Sequence, residues 1–222
     1  MDRKVLLYSG GMDSWLVDKL WKPDVKLFFD IGTANNKAEL ERVKKRDDVE
    51  IIKLPLGQFE QKENNYFLPL RNLHFVVMAA HYGNVICLGA TGSSTHRDKS
   101  DIFAFDTANV INYLNSEIAG APEVKIVMPY RGKSKTNILR KYLQQGGDIE
   151  ECYNSTFSCY NPVDGGPCME CTSCQGKFTA FYNNGYKFSE EQIAKFVKGA
   201  LNNKCVKDEP YRLALKLSKE IV

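Results

Sequence analysis

Val5-Leu6-Leu7-Tyr8-Ser9-Gly10-Gly11-Met12-Asp13-Ser14 runs from a short apolar segment directly into a glycine turn, and the stretch that follows, near Asp13–Trp21, is compatible with a helix. A continuously apolar run of four residues is the pattern of a strand buried on both faces. Strand, glycine turn and helix start together make an anion site. The first helical N–H groups have no intrahelical partner, and the helix dipole adds positive potential there. Gly10 and Gly11 let the backbone approach a phosphate closely, and Ser9 and Ser14 supply hydroxyl donors. Asp13 belongs in such a site as the holder of a metal ion or as a helix cap. The competing reading is a plain turn capped by Asp13 or Ser14. The loop is not a Walker A loop, because the Gly-Lys-Ser/Thr ending is absent, and it lacks the third glycine of the dinucleotide fingerprint.

Working outward, four more segments rich in β-branched and aromatic residues read as strands: Leu27–Asp30, Glu50–Leu54, Val85–Gly89 and Lys125–Met128. Helix-compatible stretches lie between them, near Asn36–Arg46, Arg71–Tyr82 and Asp106–Ile118. Strands alternating with helices imply right-handed crossovers, hence an α/β, Rossmann-like parallel five-stranded sheet with helices on both faces. A further helix is expected from about Thr136, with Ile138, Leu139, Tyr142 and Leu143 on one face and Gly146 after its end. Residues 1–150 are therefore expected to form the α/β domain. Residues 151–222 are expected to form a metal-binding loop, over 152–176, and a helical tail. In that tail Ser189 with Gln192 is a capping box, Phe188 can staple against Ile193, and a last amphipathic helix should run from about Pro210 to Ile221.

Composition sets limits on function. With 222 residues, 43% hydrophobic and 26% charged, the chain suits one domain with an appendage. Its longest apolar run, Phe75 to Ala80, is too short to cross a bilayer, and the first strand begins too early to leave room for a signal peptide. A cytoplasmic protein is expected. The net charge of +3 is spread without a basic block, so no direct nucleic-acid binding is expected. Arg42, Lys44, Lys45 and Arg46 read as the solvated face of a helix.

Cysteine usage is more specific. Five of the seven cysteines, Cys152, Cys159, Cys168, Cys171 and Cys174, fall together near the end of the chain, while Cys87 and Cys205 stand alone. Thiols so clustered in a reducing compartment point to metal and not to disulfides. Cys159, Cys168, Cys171 and Cys174 give C-x8-C-x2-C-x2-C, which satisfies a tetrahedral zinc ion and leaves no open position. An iron–sulfur cluster is the alternative, and a redox Cys-x-x-Cys needs only two of the four. Cys152 is left over as a packing residue or spare thiol.

The hexapeptide Ser9–Ser14 matches the Ser-Gly-Gly-x-Asp-Ser loop of the N-type ATP pyrophosphatases. Ser158-Cys159-Tyr160-Asn161 and Cys168-x-x-Cys171-x-x-Cys174 follow about 150 residues later, and the order of the two motifs resembles the 7-cyano-7-deazaguanine synthases, the QueC type. The resemblance runs from about Val5 to Phe178. It includes Asp30-Ile31-Gly32, Pro69-Leu70-Arg71-Asn72-Leu73, Leu88-Gly89-Ala90 and Lys135. It implies ATP bound through its β- and γ-phosphates by Ser9, Gly10, Gly11, Asp13 and Ser14, with Asp30 beside the nucleotide. It further implies magnesium with the ATP, structural zinc, and a homodimer acting on a small molecule. The implied reaction adenylates 7-carboxy-7-deazaguanine, forms the amide with ammonia, and dehydrates it to the nitrile through a second adenylation. Lys135, Arg71 and Asp13 are the implied catalytic residues, and Arg71, Asn72 and Asp101 the implied substrate contacts. Their bland readings are a solvated lysine, a surface ion pair and helix caps. His74 and His81, seven apart on one expected helix, should place at least one ring inward. His96 lies in a polar loop that is expected to line the pocket.

The chain departs from the family pattern in three places. Gly32-Thr33-Ala34-Asn35 stands for the family's Gly-Gln-x-His, Lys99-Ser100-Asp101-Ile102-Phe103 for its Tyr-Pro-Asp-Cys-Arg, and Gln175-Gly176-Lys177 for its usual arginine after the last cysteine. Alternatives thus remain. One is a related enzyme acting on another carboxylate, base or protein, and tRNA thiolation or an amide-forming ligase on the same fold is another. A zinc-stabilised ATP-binding module without catalysis is the alternative from another class, and ATP turnover separates it from the rest.

Overall fold

The computed structural model describes residues 1–61, 63, 68–92, 96–159, 162–163, 166–202 and 209–219. They form two compact units, Met1–Lys133 and Ser134–Val222.

In the first unit β1 (Lys4–Leu7), β2 (Val25–Asp30), β3 (Glu50–Lys53), β4 (Val85–Leu88) and β5 (Lys125–Val127) form one sheet in the order β3-β2-β1-β4-β5. Every pairing is parallel, with Val5 opposite both Val25 and Ile86. The expected doubly covered parallel sheet is what the chain forms. Alternate residues explain it. Val5, Leu27, Phe29, Ile86 and Leu88 pack with Val76, Ala79 and Ile111 in one core. The intervening Leu6, Phe28 and Cys87 are buried as well, so both faces are covered. Each such side chain contributes roughly 1.5–3 kcal/mol through its burial. The helices are α1 (Met12–Trp21), α2 (Ala34–Val43), α3 (Arg71–Ala79) and α4 (Asp101–Asn115).

Helix α4 begins five residues before the expected Asp106, because Ser100 caps it and its Oγ accepts from the Phe103 N–H at 3.0 Å. A second correction concerns Arg46. It is not on a solvated face: it donates to Asp48 at 2.8 and 2.9 Å, to Asp18 at 3.3 Å and to the Tyr8 hydroxyl at 2.8 Å. Lys26, on β2, completes the network with Asp18 at 3.0 Å and with Asp48. His74 and His81 are both exposed, contrary to the expected inward ring, and His74 Nδ1 pairs with the Leu70 carbonyl at 2.9 Å. The side of α3 that packs on the sheet is taken by Val76 and Ala79 instead.

The second unit comprises α5 (Lys135–Gln144), α6 (Ile149–Ser155), α7 (Thr172–Tyr182), α8 (Glu190–Asn202) and α9 (Glu209–Leu217). Its core gathers Met169, Phe178, Phe196, Ala200, Leu213, Ala214 and Leu217. The Phe178 ring stacks on Phe188 at 4.1 Å and on Phe196 at 4.0 Å. The capping box forms as expected: the Gln192 N–H donates to Ser189 Oγ at 3.2 Å, and the Ser189 N–H donates to Gln192 Oε1 at 3.0 Å. Residues 152–176 are not the uninterrupted loop that was expected. Helix α6 enters this span, capped by Asp148, and buries Cys152 completely, in keeping with a packing role. Helix α7 starts one residue after Cys171, whose side chain is its cap. The last helix ends at Leu217, short of the expected Ile221, which lies outside the described residues, as do Cys205, Tyr160, Asn161 and Gly165. No described helix is long and apolar enough to cross a membrane.

Candidate active site and metal centre

The strand order reverses between β1 and β4, and the carboxyl ends of the strands at such a reversal are where open parallel sheets bind ligands. Residues 9–14 leave β1 at this point. Gly89, just past the end of β4, lies beside the start of α1, where an added Cβ would be in ordinary contact with Ser14 Cα at 3.6 Å. Gly10 adopts φ +75, a conformation that costs an L side chain energy, and this turns the chain into α1.

The loop is closed on itself. The Gly11 N–H donates to Ser9 Oγ at 3.4 Å, and Ser14 Oγ donates to the Gly11 carbonyl at 3.1 Å. A serine hydroxyl carries one proton, so in the 3.2 Å contact between the two hydroxyls Ser9 is the donor. The Ser9 N–H also reaches Ser14 Oγ at 3.2 Å. The cradle is therefore preformed. Gly11 is the N-cap of α1 and no side chain caps this helix, in contrast to Thr33, Ser100, Ser134 and Asp148 on α2, α4, α5 and α6. A helix start without a side-chain cap is the arrangement that anion sites use. Asp13 lies in the first turn of α1 and is partly buried.

Asp30 ends β2, and its backbone carbonyl accepts from the Leu54 N–H at 2.8 Å. The turn after it is pinned by Asn36, which sequence reasoning missed. Asn36 Oδ1 accepts from the Ile31 and Gly32 N–H groups at 2.8 and 3.3 Å, while its Nδ2 donates to the Phe29 carbonyl at 2.9 Å. The signal was present as Thr33-x-x-Asn36, a cap residue followed at the third helical position by a hydrogen-bonding side chain.

Arg71 opens α3 behind Leu70, which has φ 59, and α3 likewise has no side-chain cap. Arg71 faces Glu39 of α2. Burial of the Glu39 carboxyl, partly offset by the positive charge of Arg71 and Arg42, pushes its pKa up to about 7. Val43, one turn beyond Glu39 on the same face, touches the 9–14 loop, since an added Cβ on Gly10 would lie 3.3 Å from Val43 Cγ2. Asn72 is buried, and its Nδ2 donates to Asp98 Oδ2 at 2.9 Å and to the Asp98 carbonyl at 3.3 Å. That amide therefore braces the 97–99 turn ahead of α4. Asp101 is exposed at the start of α4 and paired with Arg131, a residue that no motif or spacing singled out. Arg131 is held there because the loops after β4 and β5 are joined, Gly92 N–H to the Lys133 carbonyl at 2.8 Å and Gly132 N–H to the Gly92 carbonyl at 2.9 Å. His96 is exposed.

In the second unit Lys135 begins α5 behind the cap Ser134. Its aliphatic stem lies against Gly176 of α7, where an added Cβ would be 3.3 Å from Lys135 Cε. Glu209 fixes the same helix end by accepting from Thr136 Oγ1 at 2.6 Å and from Asn183 Nδ2 at 2.9 Å.

The sulfurs of Cys159, Cys168, Cys171 and Cys174 all lie within 4.8 Å of one another, with Cys168 and Cys174 at 4.0 Å. Backbone N–H groups point at three of them: Cys168 to Cys159, Cys171 to Cys168 and Cys174 to Cys171, at 3.3, 3.4 and 3.5 Å. Such donors stabilise thiolates, and Cys171 also sits at the start of α7. Without a cation, the hydrogen bond with Cys171 and burial hold the Cys174 thiol far above its ordinary range. Four thiolates coexist at this spacing only around a cation, and the donor set fits one that prefers sulfur. Cys87 is different: it is buried in β4, and desolvation pushes its thiol up.

The family model described as "Queuosine biosynthesis protein QueC" matches residues 43–185, a span that holds Arg71, Asn72, Asp101, Lys135 and all four clustered cysteines. This chain belongs to that family. Among its relatives is the 7-cyano-7-deazaguanine synthase of Persephonella marina, 25% identical over 216 residues, covering 82% of this chain and 92% of the relative. 7-Cyano-7-deazaguanine synthase 1 of Colwellia psychrerythraea is 27% identical over 212 residues, covering 82% and 95%. The synthase of Pseudoalteromonas atlantica is 26% identical over 214 residues, covering 83% and 95%. These QueC-family relatives align over nearly their whole length.

Proposed function

We propose that the chain is an ATP-dependent nitrile-forming ligase that converts 7-carboxy-7-deazaguanine and ammonia into 7-cyano-7-deazaguanine, a step of queuosine-type biosynthesis. The observation that carries this reading is membership of the QueC family together with near full-length similarity to the named synthases. The preformed, uncapped loop at the switch point supports the use of ATP.

In this reading Ser9, Gly10, Gly11 and Ser14 receive the β- and γ-phosphates, and Asp30 lies beside the nucleotide. Asp13 would hold magnesium, which when bound neutralises phosphate charge. The α-phosphate is left open to attack by the substrate carboxylate. An acyl–oxygen–phosphorus bond forms as the bond to pyrophosphate breaks. Ammonia then adds at the activated carbon, AMP departs with the bonding pair, and a proton is lost to give the amide. In the second cycle the amide oxygen attacks another ATP, pyrophosphate leaves again, and loss of AMP with two N–H protons leaves the nitrile. Arg71 and Lys135 stabilise the charge that builds on the phosphates, and Asn72 and Asp101 contribute to the substrate pocket. Zinc is our assignment for the four cysteines. Zinc–sulfur bonds of about 2.3 Å in a tetrahedron need sulfurs about 3.8 Å apart, and with all four positions filled the ion organises the fold only. We also assign the chain to the cytoplasm, where thiols stay reduced, and infer that it works as a homodimer.

The test is mass spectrometry of a reaction containing ATP, magnesium, ammonium and 7-carboxy-7-deazaguanine. The reading requires the nitrile, AMP and pyrophosphate. ADP in their place would refute the adenylation chemistry, and AMP without nitrile would refute the substrate.

A further inference from the structure

Helix α2 is fixed at two points to the carboxyl edge of the sheet. Asn36 pins its start to the turn after Asp30, through the bonds to Phe29, Ile31 and Gly32. Val43, buried at its other end, lies against Gly10 of the 9–14 loop. Positions 36, 39 and 43 are three and four apart, so they share one face of the helix. Glu39 therefore lies on the face that bridges Asp30 and the 9–14 loop, with about 10 Å of helix between the two fixed points. Among the described residues, the charged groups that act on it are Arg71, at the start of α3, and Arg42, on its own helix. Their positive charge favours the carboxylate, yet burial prevails and the carboxyl keeps its proton up to about 7. Glu39 is still partly accessible, so it can exchange that proton with solvent.

Amide formation needs a group of this kind. At neutral pH ammonia arrives almost wholly as ammonium, which has no lone pair with which to attack. A base matched to the working pH is both ionised often enough and basic enough to take the proton. We infer that Glu39 is the general base that deprotonates the attacking ammonium, at the edge of the site between the Asp30 turn and the 9–14 loop. Its carboxylate takes one proton from ammonium, and the freed lone pair forms the carbon–nitrogen bond at the activated carbonyl carbon. AMP departs with the bonding pair, and the adduct nitrogen loses one further proton to solvent. Glu39 then returns its own proton to solvent before the next turnover. The inference rests on the acyl-adenylate chemistry proposed above and adds to it the residue that readies the nucleophile. It also explains why a buried carboxyl that costs stability is kept on this face: a base near the working pH has to be desolvated.

The test compares ammonium with hydroxylamine as the nucleophile, for the full chain and for Glu39→Gln, with ATP, magnesium and 7-carboxy-7-deazaguanine. Hydroxylamine is uncharged at neutral pH and attacks without first giving up a proton. At pH 7.5 the variant should lose at least about 100-fold of the ammonium rate, while hydroxamate formation falls far less. At fixed total ammonium, the parent rate should level off above about 7, as Glu39 becomes fully ionised. The variant lacks the base and should follow free ammonia, climbing about tenfold per pH unit through pH 8. An equal loss with both nucleophiles would make Glu39 part of the framework of the site and overturn its role as base. Parallel pH profiles, or a variant as fast as the parent with ammonium, would do the same. A parent that releases no AMP with either nucleophile overturns the adenylation chemistry itself, and this inference with it.

Discussion

Glu39→Gln should stabilise the protein, and by an amount that depends on pH. The unfolded chain releases the Glu39 proton near 4.5, whereas the folded chain holds it to about 7. Between these values the folded state binds more protons than the unfolded one, so stability falls as pH rises and the loss is complete above 7. A rise from 4.5 to about 7 corresponds, at about 1.4 kcal/mol per pH unit, to a penalty of at most about 3.5 kcal/mol at pH 8. Glutamine keeps the shape and carries no charge to desolvate. Urea denaturation of the parent and the variant at pH 5.5 and pH 8 gives the comparison. The advantage of Glu39→Gln should grow by about 2 kcal/mol from the lower to the higher pH, and the metal centre, common to both proteins, cancels in the difference. An advantage equal at both pH values would refute the argument, since it would mean that the carboxyl titrates alike in the folded and unfolded chains. A less stable variant at pH 8 would show that its attraction to Arg71 outweighs its burial.

Gly11→Val, in an extended and sterically permitted conformation, should keep the fold and lower ATP affinity at least about 10-fold by filling the phosphate cradle; equal ATP binding in calorimetry would remove the loop from the site. Cys171→Ser separates two roles of one residue, because serine is a good helix cap but its hydroxyl does not ionise near neutral pH. Metal analysis should find one zinc per parent chain and almost none in the variant, and retained metal would show that Cys171 is not a ligand. Arg46→Ala should cost about 2 kcal/mol by leaving the Asp18 carboxylate, 9% exposed, with Lys26 alone; a loss under about 0.5 kcal/mol in denaturant melts would reduce the network to surface decoration. Arg71→Ala and Lys135→Ala should lower kcat roughly 100-fold with KM little changed, and a rise in KM alone would make them binding residues.

The parts of this protein legible in its sequence are those where the chemistry is local. The five strands could be read because burial on both faces demands unbroken apolar runs. The turn at Ser9–Ser14 could be read because two glycines between an apolar run and a helical stretch mark a strand-to-helix junction. The four cysteines could be read because metal ligands close in sequence are close in space. The capping box at Ser189 was legible for the same reason.

Tertiary structure alone decided what distant side chains do. Arg46 looked like one more basic residue in a charged stretch, and only the packing of β2 and α1 brings Asp18 within its reach. Arg131 pairs with Asp101 because two loops are zipped together after strands 4 and 5, and Glu39 faces Arg71 from another helix. The apolar side chains that α4 leaves in solvent were invisible for a related reason: an apolar residue reads the same whether the sheet or solvent lies against it. Periodicity determines that a face exists, and the three-dimensional arrangement determines which face is left uncovered.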